Sequence, residues 1–599
     1  MIWIKYFILL FAASTLAACS PSNQKRDAEA EPPNILLILV DDMGYGDVRI
    51  SGNPYIETPF LDELANQSVR FQRFYVSPVC APTRASLLTG RYHQRTGVRS
   101  VTNGYETMAP DEITLAEILQ DNGYRTALFG KWHLGEYYPS LPNAQGFDEF
   151  LGFRTGHAAD YYDALLEYNG HSQATEGYIT NVLTNEAIRF MEKTAGEPFF
   201  CYLSYNAPHT PLQIDSSWFV RYLDKGLDER AARVYGMVEN IDSNISRITT
   251  FLEESGRSGN TIVIFLSDNG PINGWRVPQE AMRYNAGLRD QKFTIYEGGI
   301  RTQCYWRWPG QWPAREITQT FGAHIDVLPT LLEILDLPLP EGRTIDGQSL
   351  VPLLTNTSSG WTRRTFFQNF ALATLREPAP FPGGIAIHPQ GWKMVNGDAL
   401  YYLPDDPGER ENRAAQHPAL LDSLQQAYLS WWETVHRQRG FQPRPLPVGY
   451  DQENPAYLQP HHGKAEGQLQ FMGWKGLLGD QIRSHPTGVD GDWITNWQHP
   501  GDQITWEVEI VEGGTYRIGI QAQQEGGATA YPILLKAGEQ EVHTQTTVTS
   551  SSDDWTYISL TDLELPAGLI SLRLELTDAA ADNVLKVAAL VVEKIEGDL

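Results

Sequence analysis

Two pairs of oxygen-bearing side chains stand directly after apolar runs. Asp41-Asp42 follow Asn34 to Val40, and Asp268-Asn269 follow Thr261 to Ser267. Carboxylate and carboxamide oxygens are hard ligands, suited to a divalent cation of the calcium or magnesium kind. An Asp-Asp pair after a strand also serves as a helix cap or a turn. The matching pair after a second strand tilts the reading toward metal. Arg84, Lys131, His133, His209 and Lys292 add fixed positive charge and proton donors, which a developing alkoxide or departing oxygen needs. Taken singly, a Lys or His is usually solvated surface. Cys80 is a potential nucleophile, although an isolated cysteine is most often a buried free thiol.

These groups are far apart in sequence, so a fold must bring them together. Asn34–Val40, Tyr124–Phe129, Phe199–Ser204 and Thr261–Ser267 read as buried strands. Thr114–Asn122 and Ala231–Glu254 have helical spacing, and Gly123 follows the first as a C-cap. Alternating strands and helices predict an α/β sheet covered on both faces. Ligands gather beyond the carboxyl ends of such strands. Asp41-Asp42, His209 and Asp268-Asn269 all stand just past strand ends and can converge there.

The chain has 599 residues, and 46 Lys+Arg against 73 Asp+Glu leave a formal charge of −27. That balance argues against a nucleic-acid binder, which needs a basic surface. At 42% apolar residues the chain can bury large cores, and four cysteines cannot form a disulfide framework. Cys201 and Cys304 sit in apolar strand-like runs and read as buried thiols, with a disulfide between them as the alternative. No apolar run is long enough to span a membrane as a helix.

The motifs become specific from Pro78 onward. Cys80-x-Pro82-x-Arg84, followed by Leu88-Thr89-Gly90-Arg91, resembles the first signature of type I sulfatases, and Gly123 to His133 resembles the second. Asp41-Asp42, Asn206-Ala-Pro-His209, Ser267-Asp268-Asn269-Gly270 and Lys292 to Gly299 continue the resemblance in order, over about residues 34–435. It implies an alkaline-phosphatase-like mixed sheet flanked by helices. It also implies that Cys80 is oxidised to formylglycine by a separate formylglycine-generating enzyme. The hydrated aldehyde carries two hydroxyls: one attacks sulfur, and the other later loses its proton and expels sulfate. By the same resemblance Asp41, Asp42, Asp268, Asn269 and the converted Cys80 hold Ca²⁺, with Mg²⁺ as the lesser option. Arg84 and Lys131 hold the formylglycine, and His133 accepts the diol proton. Lys131, His209 and Lys292 contact sulfate, and the last two serve the leaving oxygen. Thr83 stands where many relatives have Ser, and Lys292 lacks the flanking glycine common in the family. A helix from Thr83 onward would set residue 80 near its positive end.

The chain divides into a catalytic core at 34–365, a small α+β subdomain at 366–436, a Pro-, Gln- and His-rich linker at 437–465, and an all-β sandwich at 466–599. Within the subdomain a hairpin turns at Asn396-Gly397 and a helix spans Pro418–Val435. The sandwich is similar to carbohydrate-binding modules. Trp493, Trp497 and Trp555 either stack on sugar or fill its core. His157, Tyr161, Tyr162 and Trp275 are candidates for sugar contact or ordinary loop packing. Residues 1–18 read as a secretory signal, and Leu16-Ala17-Ala18-Cys19 resembles a bacterial lipobox, which implies lipidation of Cys19 and an outer-membrane anchor through the tether 19–33. An anchored, exported sulfatase with a sandwich fits breakdown of a sulfated polysaccharide. The global negative charge is screened within about 8 Å at physiological salt, so a local cationic site can still take an anionic substrate. The rival readings are a phosphodiesterase or phosphonate monoester hydrolase on the same scaffold, and a glycan-binding lipoprotein with a decayed site.

Overall fold

A computed structural model describes residues 31–272, 283–357, 361–370, 378–472, 493–525, 529–548, 555–578 and 584–595. The signal segment, Cys19 and Trp275 lie outside the described residues. Among the described residues, no helix is long and apolar enough to cross a membrane.

The main sheet has ten strands among the described residues. Its centre is four parallel strands in the order Thr261–Ser267, Asn34–Val40, Phe199–Ser204 and Arg125–Lys131. Asn34–Val40 is buried along its whole length. Leu36, Ile38 and Val40 face a core shared with the helix Glu229–Glu254, while Ile35, Leu37 and Leu39 face one shared with the helix Cys80–Thr89. Burial on both faces explains why these strands read as continuous apolar runs. Asp228 starts the long helix by accepting from the Arg230 and Ala231 N–H groups. Thr114 and Glu117 form a reciprocal capping box on the helix Leu115–Asp121.

Cys201 and Cys304 are free and buried. Their strands are three steps apart in the sheet. At about 4.8 Å per step that is far beyond disulfide reach, so the alternative pairing is excluded.

A four-stranded antiparallel sheet follows: Phe366–Asn369, Gly384–Ile387, Trp392–Val395 and Ala399–Tyr402. The hairpin between its last two strands turns through Asn396 and Gly397, both at positive φ. The helix Pro418–Val435 packs Tyr428, Trp431 and Trp432 onto this sheet.

The C-terminal unit is two facing six-stranded sheets. Ile504, Trp506, Val508 and Ile510 point inward against Tyr516, Ile518 and Ile520. The expected linker at 437–465 is corrected here. Leu446–Val448 pairs in parallel with the strand Gln503–Ile510, and Ala456–Leu458 pairs with Val584–Lys594. The sandwich therefore begins near Leu446. Three-residue strands show too little alternation to stand out among prolines and glutamines. Trp497 fills the sandwich core, while Trp493 and Trp555 are half-buried with their rings 6.1 Å apart.

Candidate active site

The parallel strands deliver their functional groups to one edge. Lys131 ends one strand, Asp41 and Asp42 follow another, and Asp268 and Asn269 follow a third. All five are buried, as are Cys80, Arg84, His133 and Lys292. Asp42 and His133 adopt left-handed backbone with φ of 64° and 62°. Non-glycine residues are rarely held there, and such strain collects at functional sites.

The helix that carries Cys80 begins at Cys80 itself, three residues earlier than Thr83. Position 80 is thus in the first turn, where backbone N–H groups lack helical acceptors and favour negative charge. The Thr83 hydroxyl accepts from the Ser77 N–H at 2.9 Å and donates to the Ser77 carbonyl at 3.3 Å. Thr therefore satisfies locally the position where many relatives have Ser.

Three carboxylates face three fixed cations. Lys131 Nζ donates to Asp41 Oδ2 at 2.7 Å, and Lys292 Nζ donates to Asp42 Oδ1 at 2.6 Å. Arg84 donates to Asp268 Oδ2 through Nη2 at 2.8 Å and Nε at 3.2 Å. Asp268 Oδ1 accepts from the Asp42 N–H, and Asn269 Nδ2 donates to Asp42 Oδ1. His209 Nε2 lies 3.7 Å from Asp42 Oδ2. Every residue assigned to the site on sequence grounds is thereby linked to it by a hydrogen bond or ion pair, apart from Cys80 and His133, whose Nε2 meets the Val101 carbonyl at 2.9 Å.

A cation fits this arrangement. Asp41 Oδ1, Asp42 Oδ2 and Asn269 Oδ1 are buried and accept no hydrogen bond among the described residues. Single ligand atoms from Asp41, Cys80 and Asp268 lie within 4.8 Å of one another, as do those from Asp41, Asp42 and His209. Buried oxygens without donors are costly, and a hard ion would satisfy all three.

The electrostatics assign protonation states. Burial pushes the Cys80 thiol up, against the pull of Lys131 and Lys292. An unconverted cysteine here is a thiol and a weak nucleophile. Burial, and then the charge of Lys131, holds His133 well below the usual imidazole range. Burial pulls His209 down to about 3. Both imidazoles are therefore neutral near pH 7. Burial alone would raise the Asp42 carboxyl, but Lys292 and His209 outweigh it and hold it low. Burial and the neighbouring Asp41 push Asp268 up to about 6.

Some supporting residues were not singled out from the sequence. Ser204 accepts from Arg84 Nη1 at 2.6 Å and donates to the Lys131 carbonyl at 2.7 Å. It ends a strand, so the rule that found Asp41 and Asp268 also points to it. Arg283 donates to the Asp42 carbonyl at 2.9 Å and pairs with buried Asp47. Gly156 leaves room for His133, because a Cβ there would sit 2.7 Å from His133 Nε2. Tyr161 is fully buried, and its hydroxyl lies 2.7 Å from the His209 carbonyl, so it braces the site. Tyr162 is exposed, and its ring lies 5.0 Å from that of Tyr178. His157 is half-buried, and its carbonyl accepts from the Thr155 hydroxyl.

A family model described as sulfatase matches residues 33–337, and one described as N-sulphoglucosamine sulphohydrolase, C-terminal, matches residues 285–427. The chain is a member of the sulfatase family. N-acetylgalactosamine-6-sulfatase of Sus scrofa is 30% identical over 67% of this chain and 85% of the relative. Arylsulfatase A of Homo sapiens is 31% identical over 67% of this chain and 88% of the relative. The crystal structure of Ps i-CgsB in complex with k-i-k-neocarrahexaose superposes with a TM-score of 0.61 at 28% identity, covering 69% of this chain and 95% of the other. This sulfatase is a sulfuric ester hydrolase with an α/β core, and acidic residues able to bind a metal line its site.

Proposed function

We propose that this sulfatase removes sulfate from carbohydrate, on oligosaccharides derived from a sulfated polysaccharide. The observation that carries the reading is the convergence of Asp41, Asp42, Asp268 and Asn269 with Cys80 inside a ring of buried cations. Relatives support the substrate class: one similar structure holds a neocarrahexaose, and a similar enzyme is named for N-acetylgalactosamine 6-sulfate chemistry.

Asp41, Asp42, Asp268 and Asn269, with side chain 80, would hold Ca²⁺ in preference to Mg²⁺, because an all-oxygen set of about six or more suits the larger ion. The ion would neutralise sulfate charge and acidify the nucleophile. Formylglycine made from Cys80 would supply a diol nucleophile and its own route for sulfate release. Arg84 and Lys131 hold side chain 80 at the helix start. Neutral His133 takes the proton whose loss expels sulfate. Lys131, His209 and Lys292 bind the sulfate oxygens, and Lys292 with His209 stabilises the oxygen left on the sugar. Export as a lipoprotein through Cys19, to the outer membrane, would put the enzyme beside extracellular polymer.

The test is desulfation of defined sulfated oligosaccharides by chain co-expressed with a formylglycine-generating enzyme, followed by mass spectrometry and NMR. Sulfate release from sugars, absent in C80A, is expected. Faster turnover of bis-aryl phosphate or aryl phosphonate esters would overturn the reading in favour of phosphoester chemistry. Intact mass showing formylglycine with no turnover of any ester would favour a glycan-binding role.

A further inference from the structure

The catalytic core meets the sandwich through a second set of ligating side chains. Glu106 and Glu136 come from core loops, and Glu136 lies three positions after His133. His461 and His462 come from the short turn Pro460–His462, between two of the sandwich strands. His461 Nε2 lies 3.1 Å from Glu136 Oε1. His462 Nε2 lies 3.4 Å from Glu106 Oε1 and 3.7 Å from Glu136 Oε1. Neither ion pairs nor hydrogen bonds complete the cluster, because Glu106 Oε2 and Glu136 Oε2 are buried and accept nothing among the described residues. Two such carboxylates, with side chains 4% and 6% exposed, face two imidazoles at the join between two cores.

The spacing has a chemical meaning. Zinc binds imidazole nitrogen and carboxylate oxygen at about 2.0–2.2 Å in a tetrahedron, whose edges are then about 3.3–3.6 Å. The three measured separations bracket that edge. The outer contacts match as well. His462 Nδ1 is 3.2 Å from the Tyr137 hydroxyl, which also accepts from the Gln459 N–H at 3.0 Å. A metal-bound imidazole characteristically fixes its ring through its other nitrogen in this way. The Arg154 guanidinium, which also donates to the Glu136 carbonyl, is committed to Glu167 and Glu453.

We propose that Glu106, Glu136, His461 and His462 form a second, structural metal site of the zinc type, separate from the hard-oxygen site beside Cys80. Two imidazoles and two carboxylates suit a borderline ion and not calcium, which takes oxygen. Single ligand atoms of Glu136, His461 and His462 lie within 4.8 Å of one another. Glu106, 3.4 Å from His462, would close the coordination sphere by moving onto the ion, which then clamps and does not catalyse. It ties the sandwich to the core and stiffens the loop from His133 to Glu136. The inference does not depend on the substrate proposed above.

The test uses the full chain in saturating calcium. Zinc is added, excess is removed by gel filtration, and bound metal is measured by mass spectrometry. Cobalt replaces zinc in a parallel sample read by visible absorption. One zinc per chain is expected in the native sequence and in D268N, whose catalytic ion site is damaged. Melting temperature should rise with zinc. E106Q and H462Q should bind at least about tenfold more weakly and lose that rise. E106Q keeps size and polarity, so a folding failure of H462Q leaves the test intact. A native chain that retains no zinc, or E106Q and H462Q binding zinc as tightly as the native chain, overturns the site and leaves plain His–Glu pairing. Zinc lost in D268N but kept in E106Q would assign it to the catalytic site instead.

Discussion

Lys292 Nζ lies 2.6 Å from Asp42 Oδ1, although 250 residues separate them in the chain. The contact joins the cationic half of the site to its acidic half through a lysine whose flanking sequence departs from the family. If Lys292 supports the leaving oxygen, its removal matters most where that oxygen is a poor leaving group. K292Q is expected to lower kcat on a sugar sulfate by about 10²–10³-fold. The loss on nitrophenyl sulfate, whose phenolate leaves readily, should be at least tenfold smaller. Equal losses on both esters would assign Lys292 to sulfate binding alone.

Gly156 is a positioning residue for His133. A methyl group there would press on the imidazole at 2.7 Å. G156A should cut kcat by about 10–100-fold, the scale expected when a catalytic group moves by about 1 Å. The melting temperature should hardly change, because the position is only half-buried. In H133A the same substitution should cost little more, since the two act through one group. Measuring kcat for both single variants and the double variant checks this.

The parts of the site legible in sequence were those at strand ends. Thr261–Ser267 and Asn34–Val40 are apolar throughout because both faces are covered, so Asp268 and Asp41 mark where each strand leaves the sheet. Ser204 obeys the same geometry, but a lone serine has no distinctive chemistry. The helix start at Cys80 was hidden because Pro82 suits several first-turn positions. Gly156 was not readable at all: its meaning lies in a contact with a ring 23 positions away in sequence, counting from His133. In the sandwich, strict alternation in Gln503–Ile510 exposed the strand, whereas Leu446–Val448 is too short to alternate.

Asp268 pairs with Arg84 at 2.8 Å, both groups fully buried, and is also one of the proposed ion ligands. D268N should destabilise the chain by about 3–5 kcal/mol, because Arg84 then stays buried without its counter-charge. In the native chain, dialysis against a chelator should abolish turnover and lower the melting temperature, leaving Asp41 Oδ1, Asp42 Oδ2 and Asn269 Oδ1 unsatisfied. Calcium should restore both, magnesium only partly. Full activity in chelator would remove the ion from the reaction.

A pH effect on stability should also come from outside the catalytic site. Lys393 Nζ lies 3.1 Å from Glu297 Oε1 and 2.9 Å from Glu409 Oε1, all three buried where the core meets the four-stranded sheet. Arg301 Nη1 lies 4.0 Å from Glu297 Oε2, so Lys393 is shared between two carboxylates while only Glu297 has a second cation beside it. Burial, with Glu297 adding to it and Lys393 opposing it, pushes Glu409 up from 4.5 to about 7. A folded-state pKa raised above the unfolded value means that protonation favours the fold. The contribution is therefore complete below about pH 4.5 and is lost as pH rises through about 7. Asp242, raised by burial to about 7 while accepting from the Leu61 N–H, acts in the same direction. Between pH 5 and 8 this contribution falls, while the buried neutral imidazoles of His133 and His209 contribute in the opposite direction, so the Glu409 effect is read as a difference between variants. E409Q leaves Lys393 paired with Glu297 and keeps an acceptor for the Glu297 N–H, now 2.6 Å from Glu409 Oε2. Its melting temperature relative to the native chain should rise over that range and exceed that of the native chain at pH 8. Parallel curves for the two proteins would show that Glu409 is ionised throughout and that the slope arises elsewhere.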